Sequence, residues 1–315
     1  MKKLLSTFLV SMLMVSGLAA CSSSSSTTKK EEAKPAESAQ PADDKLTIGL
    51  AISTLNNPFF VTLKDGAEQA AEAAGAELIV VDAQDDTAKQ LSGVEDLIQK
   101  KVDILLVNPT DSDAIGTAVE SANKANIPVI TVDRSANGGQ VVSHIASDNV
   151  EGGKMAGDFI LQALGEKGNI VELQGIAGTS AANDRGKGFH EAVDSKSTVK
   201  VVASQPADFD RAKGLSVMEN LLQGNSDVQA VFAHNDEMAL GALQALEATG
   251  ANVIVVGFDA TDDAVKAVNE GKLTATVAQK PADIGKTAVE TAVKVSKGEE
   301  VESYIPVDLE LVTKK

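Results

Sequence analysis

The sequence predicts an α/β protein of two similar lobes, each built on a parallel sheet. Two observations carry that expectation. From Lys45 onward, short apolar runs alternate with Ala-rich segments of helix length, the pattern of consecutive βαβ units. The chain also echoes itself. Leu91-Ser92-Gly93-Val94-Glu95-Asp96-Leu97 leads through a helix and a strand to Asn108, and Leu215-Ser216-Val217-Met218-Glu219-Asn220-Leu221 leads the same way to Asn235. The next strand end after Asn108 is Asp133, 25 residues on; after Asn235 it is Asp259, 24 residues on. Each lobe therefore presents an Asn and an Asp from the carboxyl ends of neighbouring strands. In open parallel sheets that edge is where ligands bind.

The apolar runs place strands over 47–52, 77–81, 104–107, 129–132, 169–173, 199–203, 230–233, 252–256 and 274–278. Amphipathic segments between them, such as 61–74, 113–125 and 237–248, read as helices. Gly75, Gly165 and Gly250 fall where helices should end.

The first 44 residues have a different character. Met1-Lys2-Lys3 is a positive start, an apolar stretch follows to Val15, and Leu18-Ala19-Ala20 offers small side chains before Cys21. This is the pattern of a secretory signal peptide over 1–20, too short to be a membrane span. Cys21 is the only cysteine, so no disulfide competes for it, and Leu18-Ala19-Ala20-Cys21 resembles the lipobox in which that Cys is lipidated. Residues 21–44 are rich in Ser, Thr, Lys, Glu, Ala and Pro and cannot build a core. They read as a disordered tether between membrane and body.

The 315 residues carry a formal net charge of −17, which becomes −19 once Lys2 and Lys3 leave with the leader. That balance, with no basic cluster in the body, argues against a nucleic-acid partner.

Aromatic residues are scarce: no Trp, one Tyr and eight Phe, of which Phe8 leaves with the leader. Phe159, Phe189 and Phe232 sit in helical or strand patterns and read as core. Phe59, Phe60, Phe209 and Phe258 instead sit in polar surroundings at strand ends. Four such rings suggest the walls of a pocket for a sugar, whose ring has apolar faces and an equator of hydroxyls. Asn57, Asn108, Asn235 and Gln279 would supply donors and acceptors, Asp133 and Asp259 acceptors, and Arg134 and Arg185 forked donors. Taken singly, each Phe could be a core plug, Asp133-Arg134 a strand-end ion pair and Arg185 a solvated helix residue.

Catalytic readings find little support. His144, His190 and His234 show no metal-ligand spacing, so neither metal nor cofactor is expected. Gly175-Ile176-Ala177-Gly178-Thr179-Ser180 lacks the Gly-Lys-Ser/Thr ending of a phosphate loop. No serine sits in a Gly-x-Ser-x-Gly elbow, and His234 has no nucleophile to pair with.

Several stretches together resemble the ribose-binding proteins of the periplasmic-binding-protein superfamily. They are Ser53-Thr54-Leu55-Asn56-Asn57-Pro58-Phe59-Phe60, Asn108-Pro109-Thr110-Asp111-Ser112-Asp113-Ala114, Ser143-His144-Ile145-Ala146-Ser147-Asp148-Asn149, Glu172-Leu173-Gln174-Gly175, Gln205-Pro206-Ala207-Asp208-Phe209-Asp210 and Asn235-Asp236-Glu237-Met238-Ala239-Leu240-Gly241. The resemblance covers the whole folded body. It implies a type I periplasmic binding protein: two Rossmann-like lobes joined by a three-strand hinge, with a first lobe over 45–147 plus 280–308 and a second over 148–279 plus 309–315. It implies D-ribose held between the lobes by Asn57, Phe59, Phe60, Asn108, Asp133, Arg134, Arg185, Phe209, Asn235, Phe258, Asp259 and Gln279. It implies no catalysis, no cofactor, a monomer, and delivery to the permease of an ABC importer. With Cys21 it implies an extracytoplasmic protein anchored by lipid to the outer face of the membrane. The helix around Asn183-Asp184 and the segment 194–200 depart from the family pattern, which bears on the docking face more than on the pocket.

Three rivals stay open on the residues. A sugar-responsive transcription regulator would need a DNA-binding domain where the leader and tether stand. An enzyme on the same fold would need a nucleophile, base or metal set. A binding protein for another polyol or furanose-like ligand would share nearly every feature above.

Overall fold

Continuous runs of Val, Ile, Leu and Ala cannot lie against water on either face, so they become the inner strands of parallel sheets covered on both sides. A computed structural model describes residues 45–250 and 252–314. The leader, Cys21 and the tether lie outside the described residues.

The first sheet takes β1 (Thr47–Ile52), β2 (Glu77–Asp82), β3 (Ile104–Val107), β4 (Val129–Val132) and β5 (Ser143–Ser147). Between them run α1 (Pro58–Ala74), α2 (Thr87–Gln99) and α3 (Gly116–Lys124). The second sheet takes β6 (Gly168–Gln174), β7 (Val199–Pro206), β8 (Ala230–Ala233), β9 (Ile254–Asp259) and β10 (Ala275–Ala278). Its helices are α4 (Asn149–Leu164), α5 (Ser180–Val193), α6 (Arg211–Gly224), α7 (Asp236–Glu247) and α8 (Asp262–Glu270). The chain then returns through α9 (Pro281–Ser296) and β11 (Tyr304–Val307) to the first sheet, and ends in the second with β12 (Glu310–Thr313).

The strand orders are β11-β5-β4-β3-β1-β2 and β12-β10-β9-β8-β6-β7. They correspond strand for strand. Every pair is parallel except β10 with β12. The chain passes between the sheets three times: after β5, after β10 and after β11.

Each sheet is covered on both faces. In the first, α1 and α9 close one face over Ile48, Leu50, Ile104 and Ile130, and α2 and α3 close the other over Leu105, Val107 and Val129. In the second, α4 and α5 cover Ile170, Phe232 and Val256, while α6 and α7 cover Val171, Leu173, Val231 and Val255.

Three strands, β5, β11 and β12, were not among those read from the apolar runs. Ser143-His144-Ile145-Ala146-Ser147 has too little bulk to register as one, Pro306 interrupts β11, and β12 is a short edge strand; Pro is tolerated at such an edge. β7 likewise runs on to Pro206 at the other edge. Helix α1 begins three residues earlier than its periodicity, because Asn57 caps it by accepting from the Phe59 N–H at 2.9 Å and Pro58 takes the first position. Helix α3 begins later than expected, because Asp111 ties the preceding turn by accepting from the Asp113 and Ala114 N–H groups.

Helices α4 and α5 approach so closely that side chains are excluded at the contact. A Cβ at Gly188 would overlap the carbonyl oxygen of Val150, and a Cβ at Gly153 would overlap that of Arg185. Overpacking a well-filled contact costs roughly 1–3 kcal/mol. Gly188→Ala should therefore lower the thermal midpoint by several degrees, measured by circular dichroism.

Candidate functional site: the cavity between the lobes

Both sheets aim the carboxyl ends of their strands at one another. Between them lies a cavity lined by Asn57, Phe59, Phe60, Asp133, Arg134, Ala181, Arg185, Phe209, Asn235, Asp259 and Gln279.

The first lobe contributes the start of α1 and the end of β4. Phe59 and Phe60 stand edge to face, their ring centroids 5.1 Å apart. Asp133 follows β4 with φ 62°, a left-handed conformation uncommon outside glycine. The second lobe mirrors this at the end of β9, where Asp259 has φ 118°. Phe209, in the loop before α6, has φ 59°. Bulky residues held in such conformations cluster at ligand sites, where the surrounding fold over-determines them.

The two arginines are almost fully buried. Arg134 donates from Nη1 to the Pro109 carbonyl at 3.0 Å and lies 3.6 Å from Asp133 Oδ2. Its guanidinium rests between two rings, 5.1 Å from Phe60 and 5.2 Å from Phe209, so it bridges the lobes. Arg185 donates from Nε to Asn149 Oδ1 at 2.8 Å and from Nη1 to the His234 carbonyl at 2.6 Å, with Asp259 Oδ1 at 3.7 Å. Burial lowers both arginine pKa values, and the neighbouring aspartates oppose it. Burial raises the Asp259 carboxyl well above its ordinary range, against the pull of Arg185 and of the Gln279 amide at 2.9 Å.

Two buried atoms on this lining have no hydrogen-bond partner among the described residues: Arg134 Nε, a donor, and Gln279 Oε1, an acceptor. Leaving such groups unpaired costs about 1–3 kcal/mol each. A ligand that both accepts and donates, as a hydroxyl does, would satisfy them.

Direct hydrogen bonds also join the lobes beside the cavity. The Ser112 N–H donates to the Gly178 carbonyl at 3.0 Å, the Ser180 N–H to Ser112 Oγ at 3.1 Å, and the Ser135 N–H to Ser180 Oγ at 2.9 Å.

Ten of the twelve residues expected from the sequence reach the cavity. Asn108 and Phe258 do not line it. Asn108 is consumed by its own lobe: it accepts from the Ser53 N–H and donates to the Val132 carbonyl and to Asp133 Oδ2 at 3.2 Å, so it sets Asp133 in place. Phe258 lies beneath Arg185, whose Cζ is 3.8 Å from the ring centroid, and forms a floor for that guanidinium. Sequence reasoning missed Ala181, which lines the cavity at the start of α5, and Asn149, which orients Arg185. The Thr179 cap of α5 marks the place of Ala181, but nothing local marks Asn149.

A periplasmic binding protein domain profile matches residues 48–300. The ribose import binding protein of Escherichia coli (strain K12) is 62% identical over 272 residues, covering 86% of this chain and 92% of that protein. The ribose import binding protein of Bacillus subtilis (strain 168) is 52% identical over 315 residues, covering 100% of both. Among solved structures, an ABC transporter solute binding protein from Bacillus halodurans with bound myo-inositol is 36% identical with a TM-score of 0.83, covering 87% of this chain and 96% of that one.

Asp236 shapes the second lobe's edge without lining the cavity. Fully buried at the start of α7, it accepts from the Thr261 N–H at 2.8 Å and from Thr276 Oγ1 at 2.7 Å, tying down the loop after Asp259. Burial raises its pKa from 3.8 to about 7, against those hydrogen bonds. The folded state therefore keeps a proton that the unfolded chain releases above pH 4. This contribution to stability is full below about pH 4 and is lost as pH rises toward 7, by at most about 1.4 kcal/mol per pH unit. Denaturant melts of Asp236→Asn across pH 4–8 should lack that fall, giving a flatter profile than the parent.

Proposed function

The chain belongs to the periplasmic binding protein family, and from that premise we propose that it captures D-ribose in the interlobe cavity and delivers it to the permease of an ABC importer. It is a solute-binding protein and not an enzyme. The observation that carries the ligand class is the lining itself: Phe walls facing a belt of buried Asn, Asp, Arg and Gln, with one donor and one acceptor left unpaired. The extent of identity to the two ribose import binding proteins supports the choice of ribose.

Capture needs no bond to form or break. With the lobes apart, each half of the belt faces water. A sugar that touches both halves favours the closed form by its difference in affinity for the two states. Phe59, Phe60 and Phe209 cover the ring faces, and the Arg134 and Arg185 forks and the two aspartates meet the hydroxyls. A sugar that misplaces one hydroxyl leaves a buried partner unpaired and is rejected. The hydrogen bonds among Ser112, Ser135, Gly178 and Ser180 add to closure.

The same reading extends to location. The signal peptide exports the chain, Cys21 carries the lipid, and the segment over 21–44 tethers a monomeric body to the outer face of the membrane. Replacing Cys21 with Ser should move the protein from the membrane fraction into the medium, seen by immunoblot of fractionated cells.

The deciding experiment is a calorimetric titration of unfolded and refolded protein with D-ribose, arabinose, xylose, galactose, glucose and myo-inositol. One-site binding of ribose at micromolar or tighter, about −8 kcal/mol or better, with the others at least a hundredfold weaker, is the expected outcome. Absence of heat with ribose from a folded sample overturns the ribose assignment. Arg185→Ala, which strands Asp259 without its cation, should weaken binding at least thirtyfold, in line with a loss of about 2–5 kcal/mol for a buried charged partner.

A further inference from the structure

Glu172 sits in the middle of β6, fully buried, and takes no part in the cavity lining. A carboxylate there must be held by donors, and it is. Its oxygens meet His234 Nε2 at 2.9 Å, Gln174 Nε2 at 3.3 Å, His190 Nε2 at 3.3 Å and the Ser204 hydroxyl. His190 is bridged in turn to Asp194 through Nδ1 at 3.0 Å, at the protein surface.

The two partners of His234 define its protonation. A carboxylate can only accept, so Nε2 carries the hydrogen. The Gly175 N–H, 3.3 Å from Nδ1, can only donate, so Nδ1 is bare. Donating to Glu172 while accepting from Gly175 therefore needs the neutral ring in one tautomer.

Three cavity residues rest on this pair. The His234 carbonyl receives Arg185 Nη1 at 2.6 Å. Asn235 follows His234 directly and lines the cavity. Gly175 packs against the far end of the Phe209 ring, so closely that a Cβ there would overlap it.

We propose that Glu172 and His234 form a buried cross-tie that positions Arg185, Asn235 and Phe209 for the sugar, and that its link to Gly175 through Nδ1 holds only while His234 is neutral. A proton on Nδ1 turns the acceptor facing Gly175 into a donor, and Gly175 must then shift and carry Phe209 with it. Ribose affinity therefore falls in acid. The charged and titratable groups around the ring are Glu172 from β6 and Arg185 and His190 from α5. Burial lowers the His234 pKa, the Glu172 hydrogen bond and charge oppose this, and Arg185 and His190 add to the lowering. The neutral ring is thus the resting form near neutral pH.

This inference rests on the ribose reading. The test is calorimetric titration of ribose from pH 5 to 8, with thermal midpoints measured alongside, for the parent, Glu172→Gln, His234→Ala and His234→Gln. Glu172→Gln and His234→Ala should each bind about tenfold more weakly at pH 7.5. The Gln at position 234 keeps one donor and one acceptor but does not titrate. It should recover most of the loss seen with Ala and should lose less affinity than the parent between pH 7.5 and 5. Should Glu172→Gln fail to fold, the His234 pair decides alone. Affinities of Glu172→Gln and His234→Ala within twofold of the parent, or a His234→Gln pH profile that overlays the parent's, would overturn the cross-tie while leaving the ribose reading intact. A folded parent that binds no ribose at any pH overturns both.

Discussion

The structure is organised around the burial of two guanidinium groups in one small cavity. Arg134 and Arg185 are each about 3% exposed, so water screens neither. A lone buried charge would cost more than the fold could offset. Each lobe answers with an aspartate at the same topological position, Asp133 after β4 and Asp259 at the end of β9, and with an aromatic face, Phe60 for one arginine and Phe258 for the other. Backbone carbonyls of Pro109 and His234 absorb further donors.

Each demand passes outward to the next layer. Asp133 is set by Asn108, and the loop beyond Asp259 by Asp236 through Thr261 and Thr276. Arg185 is set by Asn149 and by the His234 carbonyl, while the His234 ring is set by Glu172. The close approach of α4 to α5, with glycine at the contact, fixes how far Arg185 stands from Asn149. Polar groups this well enclosed leave little freedom to the lining. On the lining, Arg134 Nε and Gln279 Oε1 have no hydrogen-bond partner among the described residues, and a hydroxyl can supply one to each.

The lining is a set of held hydrogen-bonding side chains, with each arginine beside an aspartate. Buried partners of that kind discriminate between ligands by the groups they offer, because a missing one leaves a partner unpaired.

Much of this was legible along the chain. The alternation of apolar runs and Ala-rich segments marked nine strands and the two-sheet plan, because an inner parallel strand must be apolar on both faces. The repeated spacing from Asn108 to Asp133 and from Asn235 to Asp259 marked the ligand edge, because one supersecondary unit served twice. The strands β5, β11 and β12 were not legible, because Ser and His dilute the apolar run of β5, and β11 and β12 lie at sheet edges, mostly exposed or half-buried. Nor could local pattern separate the residues that face the cavity from those that support it. Asn108 and Phe258 have the same chemistry as Asn235 and Phe209, yet one pair stands behind the lining and the other in it. That choice depends on strand register, on which lobe lies opposite, and on backbone conformations beyond the reach of periodicity. The sequence by itself determined the fold class and the set of polar and aromatic side chains at the strand ends; only the tertiary structure decided which of them line the cavity, because contact across two lobes is a long-range property that no local spacing encodes.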